Sequence, residues 1–211
     1  PVSLAVTCAF ACHRLALSSG SIGLTITVKS MSTVFVAGGS YVFLDVALSL
    51  SSVLAVLAIV VGIATSSLAD ASFEAPCFAF ALTSGFAVSS KILLCKRILI
   101  RDPELDPGQL FSRTILVALL AMIPICAHLE GDALWHRFAI AGSDDVWRVA
   151  PYALRSAMGL AWMEIGSFAV LNEVTPVTHA VLNGVRSLAI IVAGSVYFGT
   201  PMPIRKAAGV A

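Results

Sequence analysis

The chain contains, at residues 172–200, the stretch NEVTPVTHAVLNGVRSLAIIVAGSVYFGT, which is long and apolar enough for a membrane helix but carries Arg186 near its middle. An arginine at the bilayer centre costs about 2.5 to 3.5 kcal/mol on insertion scales, so it usually faces a polar cavity or a partner inside a bundle. His179, Asn183 and Arg186 share one helical face, and Ser187 lies beside it. The stretch therefore predicts a helix that lines a polar path.

The composition of the whole chain predicts a polytopic membrane protein. Of its 211 residues, 58% are hydrophobic and 12% are charged, whereas soluble domains have about 25% charged residues. The net charge of +1 provides no basic patch for nucleic acid. The five cysteines lie in or beside apolar runs, and we interpret them as reduced packing residues. Cys8, Cys12 and His13 lack a fourth ligand at a usable spacing, so neither a metal site nor a cofactor is predicted.

The apolar runs predict an all-α bundle with six complete membrane spans and a partial helix at each end. The first partial helix covers residues 1–17, and the last begins after Pro201 and Pro203. Residues 130–148 are mixed and polar with tryptophans near both flanks, which is typical of an interfacial connector. The complete spans are predicted at residues 21–44, 46–69, 76–95, 110–129, 151–171 and 174–198.

The predicted span 21–44 carries a second cation, Lys29. Thr25 precedes Lys29 by one turn, and Ser32 and Thr33 follow on the same face, so this helix also has a polar stripe. Lys29 lies roughly 12 Å from the start of the span at 1.5 Å per residue. Two interpretations are open: Lys29 faces a pore, which we favour, or its ammonium extends to the headgroups.

Glu164 is the acidic residue that we place well inside a predicted span. Arg155 precedes it in the same helix, but their spacing puts the two side chains on opposite faces, so they cannot pair with each other. Glu164 is therefore either a residue of a polar cavity or the partner of a cation on another helix.

Two segments of the chain echo each other. Residues 36–43, VAGGSYVF, return loosely as residues 192–198, VAGSVYF, each after a polar segment with one central cation. Two matching cation-bearing helices in two halves are typical of an inverted-repeat transporter. Chance similarity between helices rich in Ala, Val and Gly would produce the same echo.

Four motifs carry a more specific resemblance. Residues 174–186, VTPVTHAVLNGVR, resemble Ser-Pro-Val-Thr-His-Ser-Val-x-Asn-x-x-Lys, the late-helix signature of the triose-phosphate and nucleotide-sugar translocator family of the drug/metabolite transporter superfamily. Residues 23–29, GLTITVK, are similar to its earlier Ser-Phe-Thr-x-Thr-Ile-Lys. Residues 71–74 resemble its Ala-Ser-Phe turn, and residues 91–97 the basic end of the following helix.

The resemblance covers essentially the whole chain and implies a ten-helix inverted-repeat fold. Residues 1–211 would form a single membrane domain running from the third helix to the start of the tenth, with the first two helices and the end of the last missing. It also implies that Lys29 and Arg186 hold the anionic part of a substrate, Arg186 standing where lysine is usual. The predicted substrate-binding residues are Lys29, Arg186, Ser187, Asn183, His179 and Thr25.

Some positions depart from the plastid sugar-phosphate members of that family. Those members have arginine where Ser187 stands, and Ser187 is closer to the Lys-Thr pair of nucleotide-sugar relatives. Their substrate-contacting histidine, threonine and tyrosine would fall on Phe10, His13 and Met163, none of which matches. Strict triose-phosphate selectivity is therefore not predicted.

The predicted function is an antiporter of phosphorylated sugars or nucleotide-sugars in a Golgi, endoplasmic reticulum or plastid inner membrane. Its expected partners are an anionic substrate, a counter-substrate and the lipid bilayer. A non-transporting membrane interaction protein with the same fold is the alternative. An intramembrane enzyme would need convergent acids or metal ligands within the spans, and the scattered histidines and single buried Glu164 do not supply them.

Overall fold

A computed structural model describes residues 1–20, 22–45, 50–68, 74–140 and 143–198 of the chain. Over those ranges the chain folds into helices without any strand, which confirms the predicted all-α class. The helices are α1 Val2–Ser19, α2 Ile22–Lys29, α3 Ser32–Leu44, α4 Leu50–Leu68, α5 Ala75–Arg101, α6 Pro107–Ile140, α7 Ser143–Glu173 and α8 Pro176–Phe198.

The outer surface of the bundle is suited to lipid. Three described segments are long and apolar enough to cross a membrane: Val2–Ser19, Ala75–Arg101 and Pro107–Gly131. Leu116 and Leu120, on the outer face of α6, are 61% and 62% exposed. Apolar side chains exposed in a continuous row mark a surface that contacts a partner or a bilayer. The predicted polytopic membrane bundle is confirmed.

Helix α5 is the centre of the packing, since it lies against α1, α2 and α3 and also touches α7 and α8. Small buried residues of α5, among them Ala81, Ser84 and Gly85, let the neighbouring helices approach closely. The Ser84 hydroxyl donates to the Ala9 carbonyl of α1 at 2.9 Å. This close packing fixes the helices that carry the charged residues described below.

The predicted span over residues 21–44 is not a single helix, because the chain breaks into α2 and α3 at residues 30–31. The Ser30 and Met31 amides donate to carbonyls three residues back, as in a 3₁₀ turn. The Ser30 hydroxyl also donates to the Ile26 carbonyl, a local bond that competes with the helical pattern. Ser89 of α5 donates to the Ser32 carbonyl at 2.9 Å and stabilises the break from outside.

Two predicted boundaries also differ. Residues 130–140 and 143–148 are helical, since α6 continues to Ile140 and α7 begins at Ser143, although the apolar segment of α6 ends at Gly131. No proline falls between Pro124 and Pro151, so the polar composition alone did not end the helix. Helix α5 ends at Arg101 rather than near residue 95. The helix predicted after residue 201 lies outside the described residues.

Candidate substrate-binding site

Charged side chains from four helices gather inside the bundle. Lys29 of α2 lies within electrostatic reach of Lys91 of α5, Glu164 of α7 and Arg186 of α8. One contact links the first and last of these helices: α3 follows α2 directly after the break beside Lys29, and the Thr33 hydroxyl of α3 donates to the Ala180 carbonyl of α8 at 3.4 Å. We call Lys29, Lys91, Glu164 and Arg186 the interior charge cluster.

Lys29 is placed by the break, since it is the last residue of α2. A cation at the C-terminal end of a helix is stabilised by the negative end of the helix dipole. Gly85 of α5 faces this point, and a Cβ added there would lie 3.3 Å from the Lys29 carbonyl oxygen. Within the described part of the chain the Lys29 ammonium has neither a hydrogen bond nor an ion pair. Its position among charges of other helices favours the pore-facing interpretation.

Arg186 is the second cation for which the described residues provide no ion-pair partner. Its Nε atom is buried and finds no hydrogen-bond acceptor among the described residues. Leaving such a buried donor unsatisfied costs about 1–3 kcal/mol, and more when the group is charged. An anion bound beside Arg186 would remove that penalty. The side chain of Ser187, the next residue, lies outside what the structure describes.

Lys91 and Glu164 form an ion pair between α5 and α7, with 2.5 Å between Nζ and Oε2. Their side chains are only 16% and 17% exposed. The Lys91 ammonium also lies over the Phe168 ring, 5.2 Å from its centroid, which adds a cation–π attraction. Of the two roles left open for Glu164, the structure therefore shows the partner of a cation on another helix.

Sequence reasoning missed Lys91 as a member of the site. The sequence predicts Lys91 at the basic end of a helix that ends near residue 95, but α5 continues through Lys96 and Arg97 to Arg101. The spacing of the basic residues could have indicated its role. Lys91 lies at least a full turn deeper in the helix than Lys96 and Arg97, the basic residues near its end.

His179 and Asn183 are brought together on α8. His179 is 4% exposed, and its Nε2 and Nδ1 lie 2.9 Å from the Ser167 hydroxyl and 3.2 Å from the Asn183 amide nitrogen. When that amide donates to Nδ1, the ring is neutral and its Nε2–H donates to Ser167. His179 then supports the α7–α8 contact without adding charge.

Thr25 lies away from these contacts. It is fully buried, and its hydroxyl is 3.5 Å from the Cys77 sulfur of α5. These contacts belong to the packing of α2 against α5.

His13 of α1 lies within electrostatic reach of Lys29, although its position did not match the family pattern.

A cavity of about 490 Å³ lies between α3 and α5, lined mainly by apolar side chains such as Phe35, Phe86 and Leu93, with Arg97 among them. None of the predicted substrate-binding residues whose side chains the structure describes lines it. The interior charge cluster is therefore a separate feature, defined by its charges rather than by this cavity.

The apolar helices and the buried charges between them are features of a membrane protein with a polar interior. The whole chain, residues 1–211, matches the model of the Triose-phosphate Transporter family. The chain belongs to this family, which confirms the resemblance seen in the motifs. Because the family consists of transporters, the prediction that the chain is not an enzyme is also confirmed.

Individual relatives are plastid phosphate translocators. The chain is 28% identical over 190 residues to phosphoenolpyruvate/phosphate translocator 1 of Arabidopsis thaliana, covering 90% of this chain and 47% of that protein. The same figures hold for the triose phosphate/phosphate translocator of non-green plastids of Brassica oleracea var. botrytis. Glucose-6-phosphate/phosphate translocator 1 of Arabidopsis thaliana is 23% identical over 216 residues, covering 100% and 54%. The chain thus spans about half the length of the curated relatives it matches.

Proposed function

We propose that the protein exchanges a phosphorylated metabolite for inorganic phosphate across a membrane, with Lys29 and Arg186 holding the phosphate group. The observation that carries this proposal is the pair of cations, one on α2 and one on α8, that have no ion-pair partner among the described residues. Arginine can bind two phosphate oxygens at once, and lysine acts as a point charge. Relatives named for phosphate exchange support the same substrate class.

The remaining predicted residues take supporting roles in this proposal. Asn183 and His179 lie on α8 and fix its contact with α7 through Ser167. Ser187 directly follows Arg186 and would lie beside the bound group. Thr25 holds α2 against α5 and so positions Lys29. Residues 1–211 would act together as a single membrane domain.

Exchange rather than one-way transport follows from the charges. With the site empty, Lys29 and Arg186 repel each other and remain only partly compensated by Glu164. A buried excess of charge is costly in a low-dielectric interior, so the empty carrier should reorient slowly. Reorientation with a bound anion removes that excess, and transport becomes an obligatory antiport.

The proposed location is a plastid membrane, because the relatives named above are chloroplastic proteins. A second candidate function is exchange of a nucleotide-sugar for a nucleoside monophosphate in the Golgi or endoplasmic reticulum. Ser187 is the observation that favours it, since it departs from the arginine of the plastid members in the resemblance. The names of these relatives do not support that second candidate.

The test uses the full-length protein in liposomes preloaded with inorganic phosphate, with a nucleoside monophosphate, or with neither. Labelled triose phosphate, phosphoenolpyruvate and a nucleotide-sugar are offered in turn. The proposal expects uptake of a phosphorylated metabolite only into phosphate-loaded liposomes. Uptake driven by the nucleoside monophosphate alone would establish the second candidate, and equal uptake into empty liposomes would refute obligatory exchange. A protein that inserts but exchanges nothing would support the non-transporting alternative.

A further inference from the structure

We propose that the groove between α3 and α5 binds an anionic phospholipid, with the lipid phosphate at Arg97 and an acyl chain along the apolar part of the groove. This groove is the cavity of about 490 Å³ described above. It lies outside the interior charge cluster, and lipid binding there does not depend on the proposed phosphate exchange.

The groove has apolar walls and one charged end. Val42 of α3 and Phe86 of α5 line it and are 66% and 59% exposed, and Arg97 is the charged residue of its described lining. The rings of Phe35 and Phe86 meet edge to face, with centroids 5.6 Å apart. Apolar side chains exposed side by side on a membrane helix pair are suited to a hydrocarbon chain.

The orientation of the two helices places Arg97 at the outer end of the groove. The helices run in the same direction, because Ser89 of α5 contacts Ser32 of α3 and Leu93 lies against Gly39 further along both helices. Arg97 follows one turn later, near the end of α5. Since α5 is long and apolar enough to cross a membrane, an arginine near its end reaches the headgroup level.

The length of the groove matches one leaflet of a bilayer. From Phe86 to Arg97 a helix rises by roughly 16 Å at 1.5 Å per residue. The hydrocarbon core of a bilayer is about 30 Å thick, so one leaflet accounts for about 15 Å. An acyl chain in the groove would therefore run from the middle of the bilayer to Arg97.

Gly38 of α3 leaves room for that chain. It lines the groove, and a Cβ added there would meet no described atom within 4 Å. The neighbouring Gly39 differs, because a Cβ there would overlap the Leu93 side chain. Gly39 thus serves the close approach of α3 and α5, whereas Gly38 faces open space in the groove.

The charge at the outer end suits an anionic headgroup. Arg101 follows Arg97 by four residues on the same face of α5, and both side chains are exposed. Neither arginine has an ion-pair partner among the described residues, although Asp45 follows α3 and Asp102 follows α5. A guanidinium binds two phosphate oxygens at once, and basic pockets between membrane helices bind anionic lipid headgroups.

A protein segment is a poorer occupant of this groove than a lipid. A further helix of the full-length protein, or a second copy of the chain, would cover Phe86 and Val42 but would supply no anion to Arg97 and Arg101 unless it carried an acid there. A phospholipid supplies the apolar chain and the phosphate in one molecule. These other occupants are distinguished by the experiment below.

The test titrates the purified full-length protein in detergent with phosphatidylglycerol and, separately, with phosphatidylcholine, and native mass spectrometry measures the bound lipid. We expect one tightly bound phosphatidylglycerol and an affinity for phosphatidylcholine lower by at least about fivefold, the contribution of one basic residue to the attraction of anionic lipid. Arg97→Gln and Arg101→Gln should each weaken phosphatidylglycerol binding by about fivefold. Gly38→Leu fills the groove and should weaken the binding of both lipids.

Two control variants locate the lipid. Gly159→Leu, at an exposed glycine of α7 where a Cβ meets nothing within 4 Å, should leave lipid binding unchanged. Lys29→Ala should also leave it unchanged, and a loss of lipid binding in this variant would place the headgroup in the interior charge cluster and overturn the inference.

Three further results would overturn the inference. The first is equal affinity of the unaltered protein for the two lipids, and the second is unchanged phosphatidylglycerol affinity in both arginine variants. The third is the absence of a tightly bound lipid, which would show that a protein segment covers the groove. If Gly38→Leu does not fold, the arginine variants at their exposed positions carry the comparison.

Discussion

Two regions of the bundle combine cations with acids in different ways. At the periphery, Arg14 of α1 pairs with Glu130 of α6 at 2.6 Å, with side chains 60% and 35% exposed. In the interior, Lys91 and Glu164 form a mostly buried pair, and Lys29 and Arg186 lie nearby without partners in the described ranges. The peripheral region is balanced in charge, whereas the interior has more cations than acids.

The difference separates a structural contact from a binding site. An exposed ion pair is screened by solvent and contributes about 0–1 kcal/mol. Buried charge without compensation is expensive, so a chain that keeps it uses it for a ligand or a transport path. The excess of positive charge in the interior is therefore the feature that we connect with function, and the substitutions below test that connection.

The largest effect is expected from removing an unpaired interior cation. Lys29→Ala or Arg186→Ala deletes a charge-assisted contact to phosphate, which is worth about 1.5–3 kcal/mol, so phosphate exchange should fall by about 10- to 100-fold. Exchange in liposomes measures the loss, and membrane insertion should be unchanged. Val185→Ala, at an exposed position of α8, is the matched control for Arg186→Ala. Exchange at the original rate in either charge variant would exclude that cation as a ligand.

A smaller effect is expected from disturbing the helix break that positions Lys29. Gly85→Val places a branched side chain where even a Cβ alone would lie 3.3 Å from the Lys29 carbonyl oxygen. Overpacking of this kind costs about 1–3 kcal/mol, so the melting temperature in detergent and the affinity for phosphate should both fall. Gly159→Val is the control, because a Cβ there meets nothing within 4 Å. Equal effects of the two substitutions would show that the break does not position Lys29.

The next effect is expected from removing His179, an uncharged residue that supports the contact between α7 and α8. His179→Phe keeps an aromatic ring, slightly larger than imidazole, but removes the hydrogen-bond partner of Ser167 and Asn183. Loss of these contacts should lower stability by about 1–3 kcal/mol, as measured by thermal unfolding in detergent, without changing preference among anions. A changed ratio of trianion to dianion exchange would instead place His179 in charge selection.

The smallest effect is expected at the peripheral pair. Arg14→Gln removes an exposed ion pair and should alter stability by less than about 1 kcal/mol, with the exchange rate unchanged within error. The comparison of Arg14→Gln with Lys29→Ala sets a peripheral cation that has an ion-pair partner against an interior cation that has none among the described residues. A loss of exchange as large as that of Lys29→Ala would remove the distinction between the two regions.

The sequence predicted the membrane bundle and the family because both depend on signals that are local in the chain. Apolar runs define the helices, and the motifs at residues 23–29 and 174–186 lie within single helices. It also placed Glu164 inside a span and left open a partner on another helix, which the pair with Lys91 supplies.

What the sequence could not predict depends on contacts between helices. The break at residues 30–31 has neither glycine nor proline, and Ser89 and Gly85 of α5 stabilise it from another part of the chain. Lys91 could not be distinguished from the basic residues at the helix end, because the sequence did not predict that α5 continues to Arg101. The mixed, polar composition of residues 130–148 also gave no sign that α6 remains helical to Ile140 and that α7 begins at Ser143.

The most direct test of the central claim is the binding of inorganic phosphate itself, separated from transport. Labelled phosphate is titrated onto the purified full-length protein in detergent, together with Lys29→Ala, Arg186→Ala and the control Val185→Ala. If the two interior cations hold the phosphate, both charge variants should bind at least tenfold more weakly than the unaltered protein, and the control should bind equally well. Equal phosphate affinity in all four proteins would contradict the claim that Lys29 and Arg186 form the anion site.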